Sequence, residues 1–68
     1  MKQTIFKSAF GNCAIQEDAT GFSIWQDEFS EYDFIDVTPH KVPKSFEEAK
    51  KILESKYGKV KLMETRNY

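Results

Sequence analysis

The segment Ser45–Gly58, SFEEAKKILESKYG, constrains the fold more than any other stretch, because it carries a complete set of helix signals. Ser45 and Glu48 have the spacing of a capping box, in which each side chain bonds a backbone N–H of the other residue. Pro43 disfavours helical backbone at the residue before it, so the helix should not begin earlier. Gly58 suits the left-handed conformation that ends a helix. The pattern predicts a helix bounded by Ser45 and Gly58.

This predicted helix is apolar along one side only. A helix of about 13 residues is marginal by itself in water, so the apolar side must pack against another element. A sheet within the same chain is the expected partner, and a second protein is the alternative. The apolar positions, which recur at helical spacing, are Phe46, Ala49, Ile52, Leu53 and Tyr57.

The residues before the helix alternate between apolar and polar, as strands do. Lys2–Phe10 predicts a first strand, and Gly11–Asn12 is expected to form a turn or kink before a second strand at Cys13–Ile15. The alternative is a bulge that lets one longer strand run on through Cys13–Ile15. Asp18–Gly21, DATG, is a stronger turn signal. Phe22–Gln26 and Tyr32–Val37 then predict two further strands. The front of the chain is therefore expected to consist of strands and turns.

The residues on either side of the helix complete the predicted order. Thr38–Lys44 contains two prolines and predicts a crossover rather than a strand. Lys59–Met63 alternates apolar residues with lysines and predicts a last strand with a solvated lysine face, typical of a sheet edge or of a one-sided sheet, while Glu64–Tyr68 is expected to be a frayed tail. The order β-β-β-β-α-β predicts one small α+β domain, in which a single helix covers one face of a mainly antiparallel sheet of about four or five strands.

Length and composition limit what such a domain can do. A chain of 68 residues, 40% of them hydrophobic and 15% aromatic, can build one compact core but leaves little volume for an enclosed active site. Cys13 is the only cysteine, which excludes an internal disulfide and a thiolate metal cluster. Met1–Phe10 lacks the apolar run of a signal peptide, and no stretch approaches the ~20 residues of a membrane span. A cytoplasmic protein is the expectation.

The residue types that carry catalysis are present, but they do not form catalytic patterns. His40 is the only histidine and lies in the predicted crossover, and no nucleophile motif such as GxSxG accompanies it. No cationic residue precedes Cys13 closely, so a buried apolar role is expected for it. The carboxylates between Asp27 and Asp36 lack the central glycine and final glutamate of a calcium loop. We therefore expect no enzymatic activity, no cofactor and no metal.

Charge is divided unevenly along the chain. The formal net charge is −1, yet Ser8–His40 contains seven acidic residues and neither lysine nor arginine. Lys41–Tyr68 contains eight basic residues against four acidic ones. The chain thus has an acidic, aromatic front and a mildly basic back.

The acidic front interleaves carboxylates with aromatic side chains. Such a surface suits a basic groove on another protein, because aromatics supply the buried anchor area and carboxylates supply steering and rim pairs. An accessory or inhibitor protein, of the small kind common in phage and mobile-element genomes, is the functional hypothesis. The alternative is that the aromatics fill the core and the acids solvate its outside. The expected partner-binding residues are Trp25, Asp27, Glu28, Phe29, Glu31, Tyr32, Asp33 and Asp36.

A second functional hypothesis uses the basic end of the chain. Lysines beside exposed aromatics form surfaces on which single-stranded nucleic acid stacks. The acidic charge of the aromatic strands opposes phosphate, and no RNP-type motif is present, so protein binding is preferred. A homodimer is also compatible with a sheet whose second face one helix leaves bare. Contact with nucleic acid would use Tyr57, Lys59, Lys61 and Arg66.

Overall fold

The computed structural model describes residues 1–27 and 34–67. These residues form five strands and one helix in the order β1 (Lys2–Ser8), β2 (Gly11–Asp18), β3 (Gly21–Asp27), β4 (Ile35–Asp36), α1 (Phe46–Tyr57) and β5 (Lys61–Asn67). The strands make one antiparallel sheet in the spatial order β4-β3-β2-β1-β5. The predicted α+β fold, with one helix and a mainly antiparallel sheet, is confirmed. No helix in this part of the chain is long and apolar enough to cross a membrane.

The helix α1 begins and ends where its sequence signals place it. The Ser45 hydroxyl accepts a hydrogen bond from the Glu48 N–H at 3.1 Å. Gly58 has a φ of 78°, and its N–H donates to the Glu54 carbonyl at 2.9 Å. In a simple capping box the Glu48 carboxylate would accept from the Ser45 N–H. Here it accepts from the Lys44 N–H instead, at 3.3 Å. Local hydrogen bonds therefore fix both ends of the helix.

The apolar side of α1 packs on β2 and β3. Ala49 and Leu53 are fully buried, and Tyr57 is 6% exposed. Beneath them lie strand residues that alternate onto the same face of the sheet. Burying each large apolar side chain is worth about 1.5–3 kcal/mol, so this layer is the main source of stability. The strand members of the core are Phe6, Cys13, Ile15 and Ile24.

The turn between β1 and β2 lies at Ala9–Phe10, earlier than the turn or kink expected at Gly11–Asn12. The Ser8 hydroxyl accepts from the Phe10 N–H at 3.1 Å and donates to the Gly11 carbonyl at 2.8 Å, which closes the loop. Gly11 instead opens β2, at a φ of 111° that favours glycine. The first strand therefore ends at Ser8 and not at Phe10.

A last strand follows the helix, as predicted, but β5 is longer than its side-chain pattern indicates. The predicted bounds, Lys59–Met63, and the predicted frayed tail from Glu64 onward are wrong. β5 begins at Lys61 and continues to Asn67, because its backbone pairs along almost the whole of β1. Backbone hydrogen bonds form this ladder whatever the side chains are, so the polar residues from Glu64 onward gave no sign of it. A bulge interrupts the register at Met63, which has no partner residue in β1.

The strand β4 is the short edge of the sheet. Of the predicted strand Tyr32–Val37, only Ile35 and Asp36 form it, and the first two residues lie outside the described part of the chain. The N–H of Val37, the residue after β4, donates to the Ile24 carbonyl at 2.8 Å. The Thr38 hydroxyl then accepts from the Ile24 N–H at 3.0 Å, so a side chain replaces the next backbone bond and the strand ends. The proline-containing crossover leads from there to α1, as predicted.

Candidate protein-binding surface

The sheet has a second face, turned away from α1, whose residues follow from the strand register. Residues directly opposite each other in neighbouring strands point to the same side of a sheet. Ile5, Ala14 and Trp25 therefore form one row across β1, β2 and β3, and Asp36 extends it on β4. Ile5 and Ala14 are fully buried, Trp25 is half-buried and Asp36 is exposed. The row is therefore buried at β1 and β2 and ends at β4 in an exposed acidic residue.

Trp25 is the aromatic side chain of this row. Its indole Nε1–H donates to the Ser23 hydroxyl at 2.9 Å, so the ring is held in one orientation. A ring already held loses less conformational freedom when a partner packs on it. Phe22 and Ile24 pack into the core on the helix side of β3, so Trp25 alternates onto the other face of that strand.

Two turns of the same kind lie at this end of the sheet. Asp18, in the turn predicted at Asp18–Gly21, accepts from the N–H and the hydroxyl of Thr20 at 2.8 and 2.6 Å. Asp36 accepts from the N–H and the hydroxyl of Thr38 at 2.9 and 2.5 Å. In each turn the threonine hydroxyl, and then the N–H, lowers the pKa of the carboxyl group below its ordinary value. Both exposed carboxylates are therefore ionised at neutral pH.

Both carboxylates line one shallow cavity of about 280 Å³. Ser23, whose hydroxyl accepts from the Trp25 indole, lines it as well, whereas Trp25 itself does not. Among the described residues, no lysine or arginine lines it, and its aromatic residue is Phe22. The cavity can therefore accept a cationic side chain. We call Asp18, Trp25 and Asp36 the acidic margin.

The other predicted partner-binding residues are placed differently. Asp27 is only 1% exposed, so its carboxylate does not belong to the exposed acidic surface. Asp18 belongs to the acidic front of the sequence but is not among the predicted partner-binding residues, and the structure places it with Asp36 in the lining of one cavity. The repeated Asp-x-Thr spacing, DAT and DVT, is the signal that could have linked the two turns. Five predicted residues lie outside the described ranges: Glu28, Phe29, Glu31, Tyr32 and Asp33.

The charge division of the sequence becomes a charge division across the sheet. β2, β3 and β4 contain neither lysine nor arginine, whereas β1 and β5 contain four such residues. Because β4 and β5 are opposite edges of the sheet, the acidic strands lie toward one edge and the basic strands toward the other. We call the basic side, with the lysine just before β5, the basic edge: Lys2, Lys7, Lys59, Lys61 and Arg66.

The residues of the nucleic-acid hypothesis do not form one exposed patch. Tyr57 packs in the core, and its hydroxyl donates to Gln26 Oε1 at 2.7 Å, so its ring is not a stacking platform. Arg66 forms an ion pair with Glu64 at 3.0 Å. Lys59 and Lys61 are exposed. The basic charge is present at this end, but the predicted aromatic partner is turned inward.

Cys13 and His40, the groups that could carry other chemistry, are not among the residues that line the cavity between Asp18 and Asp36. Cys13 is buried beneath α1, as predicted, and burial raises the pKa of its thiol to about 11. His40 is exposed in the crossover. Within residues 1–27 and 34–67, no three histidine, cysteine or acidic side chains are grouped closely enough to hold a metal ion.

Comparisons of the chain with protein-family models, with curated proteins and with solved structures found no match. Two surfaces of the chain are distinguished by their charge, the acidic margin and the basic edge.

Proposed function

We propose that this protein is a non-enzymatic protein-binding domain, which docks its acidic margin on a basic surface of another protein and acts as an accessory or inhibitor protein. The observation that carries the proposal is the pairing of Trp25 with Asp36, since a residue with a held indole ring and one with an ionised carboxylate are direct neighbours in the sheet. Interfaces draw most of their binding free energy from a few aromatic and arginine anchors, while surrounding charges steer association.

An arginine side chain of the partner fits this margin best. Tryptophan is the ring that attracts cations most strongly, and a guanidinium group pairs with a carboxylate through parallel hydrogen bonds. The cavity is lined by two acidic residues, Asp18 and Asp36, and Trp25 is opposite Asp36 in the sheet. The acidic and aromatic residues between β3 and β4 would extend the same surface, and their part stays a sequence-based prediction: Glu28, Phe29, Glu31, Tyr32 and Asp33.

The experiment is affinity capture from lysate with the immobilised protein, at low and at moderate salt, after nuclease treatment. We expect a basic protein to be retained and to be released as salt screens the charges. The captured protein is then titrated into the domain while the emission of Trp25, the only tryptophan, is followed. Binding at the acidic margin changes this emission.

Two matched variants locate the surface. Asp36→Asn removes a carboxylate of the acidic margin, and Glu47→Gln removes an exposed one on α1. We expect Asp36→Asn to weaken binding and Glu47→Gln to leave it nearly unchanged, with unfolding curves showing that both variants are folded. Equal effects of the two variants, or unchanged Trp25 emission, would contradict the proposal.

Direct nucleic-acid binding is the alternative function, and exposed Lys59 and Lys61 are the observation in its favour. Recovery of nucleic acid that disappears after nuclease treatment supports it. Binding of that kind is lost in Lys59→Glu or Lys61→Glu and is unaffected or improved in Asp36→Asn.

A further inference from the structure

The outer side of β5 is a second surface suited to binding. β5 is last in the sheet order, and no strand in the described part of the chain pairs with its outer side. It has seven residues, whereas the opposite edge strand, β4, has two. An edge strand of this length presents a row of backbone N–H and C=O groups to which another extended chain can bond.

The register shows which residues of β5 present these groups. Ser8 and Gly11 close a two-residue turn, so they exchange backbone hydrogen bonds, and every second residue of β1 bonds to β2 in the same way. The alternate residues of β1, such as Ile5, direct their backbone N–H and C=O groups to β5. Ile5 is opposite Glu64, so Glu64 bonds inward and its neighbour Thr65 directs its N–H and C=O outward. The same alternation directs the groups of Leu62 and Asn67 outward.

The side chains around this edge are basic and partly apolar. Lys61 is directly opposite Lys7, and both are exposed. The one acidic residue of β5, Glu64, is already paired with Arg66 at 3.0 Å. Leu62 is 58% exposed, which adds an apolar contact on the same strand. The edge therefore complements a strand that carries carboxylates next to apolar residues.

We infer that the outer edge of β5 binds an extended acidic segment of a partner protein, which adds to the sheet as a sixth strand. In strand addition the backbone bonds supply affinity and the alternating side chains supply specificity. This edge lies across the sheet from the acidic margin, so the inference goes beyond the proposed function and does not depend on it.

The charge and the chemistry of the edge favour an acidic strand over a second copy of this chain or a nucleic acid. A second copy would set one basic edge against another, and lysines and bulges such as the one at Met63 are features that deter such self-pairing. The same lysines attract an acidic strand, so they discriminate between the two occupants. Nucleic acid also carries negative charge, but it has no amide backbone to pair with β5, and Tyr57 is buried rather than available for stacking.

The test uses the full chain and a short capped peptide in which glutamate alternates with valine, and it measures affinity by fluorescence anisotropy of the labelled peptide. We expect Lys61→Glu to weaken binding by about tenfold or more, and Lys51→Glu, an exposed charge reversal on α1, to change it by less than about twofold. We also expect the Thr65 amide to become protected from hydrogen exchange when the peptide binds.

Two further reagents separate strand addition from plain charge attraction. Thr65→Pro removes an outward N–H while the inward bonds of β5 remain, so it should abolish binding. A peptide of the same charge, N-methylated on the backbone positions that would face β5, should also fail, and it requires no change to the protein. Binding of the N-methylated peptide with undiminished affinity would overturn the inference. So would a β5-mediated dimer in sedimentation, or an oligonucleotide that binds at Lys61 more tightly than the peptide.

Discussion

The Tyr57 hydroxyl donates a hydrogen bond to Gln26 Oε1 at 2.7 Å and so joins the last turn of α1 to β3, across a separation of 31 residues in the sequence. Tyr57 is 6% exposed, and Gln26 is half-buried beside Cys13, its partner in β2. The ring fills the core while the hydroxyl reaches the edge of it. One side chain therefore contributes both packing and a polar anchor for the helix.

Tyr57→Phe tests this anchor. The substitution keeps the ring and removes the hydroxyl, so we expect it to lower the free energy of unfolding by about 1 kcal/mol. Urea unfolding followed by circular dichroism measures the change. Gln26→Ala and the double variant complete a thermodynamic cycle, and simple additivity of the two single effects would show that the bond contributes nothing.

Leu53 and Leu62 form a matched pair for testing where the core lies. Leu53 is fully buried on the apolar side of α1, whereas Leu62 is 58% exposed on β5. We expect Leu53→Ala to lower the free energy of unfolding by about 2–5 kcal/mol, because it leaves a cavity in the single core. Leu62→Ala should stay within about 0.5 kcal/mol of the parent. Denaturant unfolding of the two variants measures both values, and similar losses would contradict this placement of the core.

The helix could be predicted from the sequence because its signals are local, as the caps at Ser45 and Gly58 show. The length of β5 could not, since it follows from pairing between the two ends of the chain, and Glu64 and Arg66 carry no apolar alternation. Likewise, the burial of Asp27 depends on which face of β3 is enclosed, which a charge pattern does not reveal.

The candidate site also has one feature that local sequence could predict and one that it could not. The face of Trp25 could be predicted, because alternation along a strand is local. The approach of Asp18 to Asp36 could not, because the two turns meet only when β2 and β4 pair with opposite sides of β3. A local pattern identifies each turn, and the sheet order determines that they share a cavity.

The carboxyl groups of Asp18 and Asp36 predict how the stability of the fold changes at low pH. Hydrogen bonds from threonine lower the pKa of each below the ordinary 3.8, so the folded state binds protons less readily than the unfolded state. Their stabilising contribution is complete above about pH 3.8 and is lost as the pH falls through the lower pKa of the folded state. Titration by carbon-13 NMR of the side-chain carboxyls measures both groups.

Thr20→Val isolates one of these two carboxyl groups. It removes the hydroxyl that bonds Asp18 and keeps the backbone N–H, so the pKa of Asp18 should rise part of the way to its ordinary value. The pKa of Asp36 should not change, since its partner is Thr38, which makes it an internal control. A parallel rise in both pKa values would mean that the shifts come from the charge of the whole surface and not from the hydroxyl bonds.

The buried thiol of Cys13 gives a prediction in alkali. Burial raises its pKa from 9.0 to about 11, so the folded state keeps the proton that the unfolded state loses more readily. The resulting stability is complete below pH 9.0 and is lost as the pH rises toward about 11. Since the thiolate is the reactive form, a thiol reagent at pH 8 should label the native protein far more slowly than the urea-unfolded protein.

Cys13→Ala separates this effect from other alkaline titrations, because lysines and tyrosines ionise in both proteins. The gap in free energy of unfolding between the parent and Cys13→Ala should narrow as the pH rises from 9.0 toward 11, since only the parent loses the contribution of the thiol. A gap that stays constant, together with rapid labelling under native conditions, would show that the thiol reaches solvent and that α1 does not cover β2 closely at Cys13.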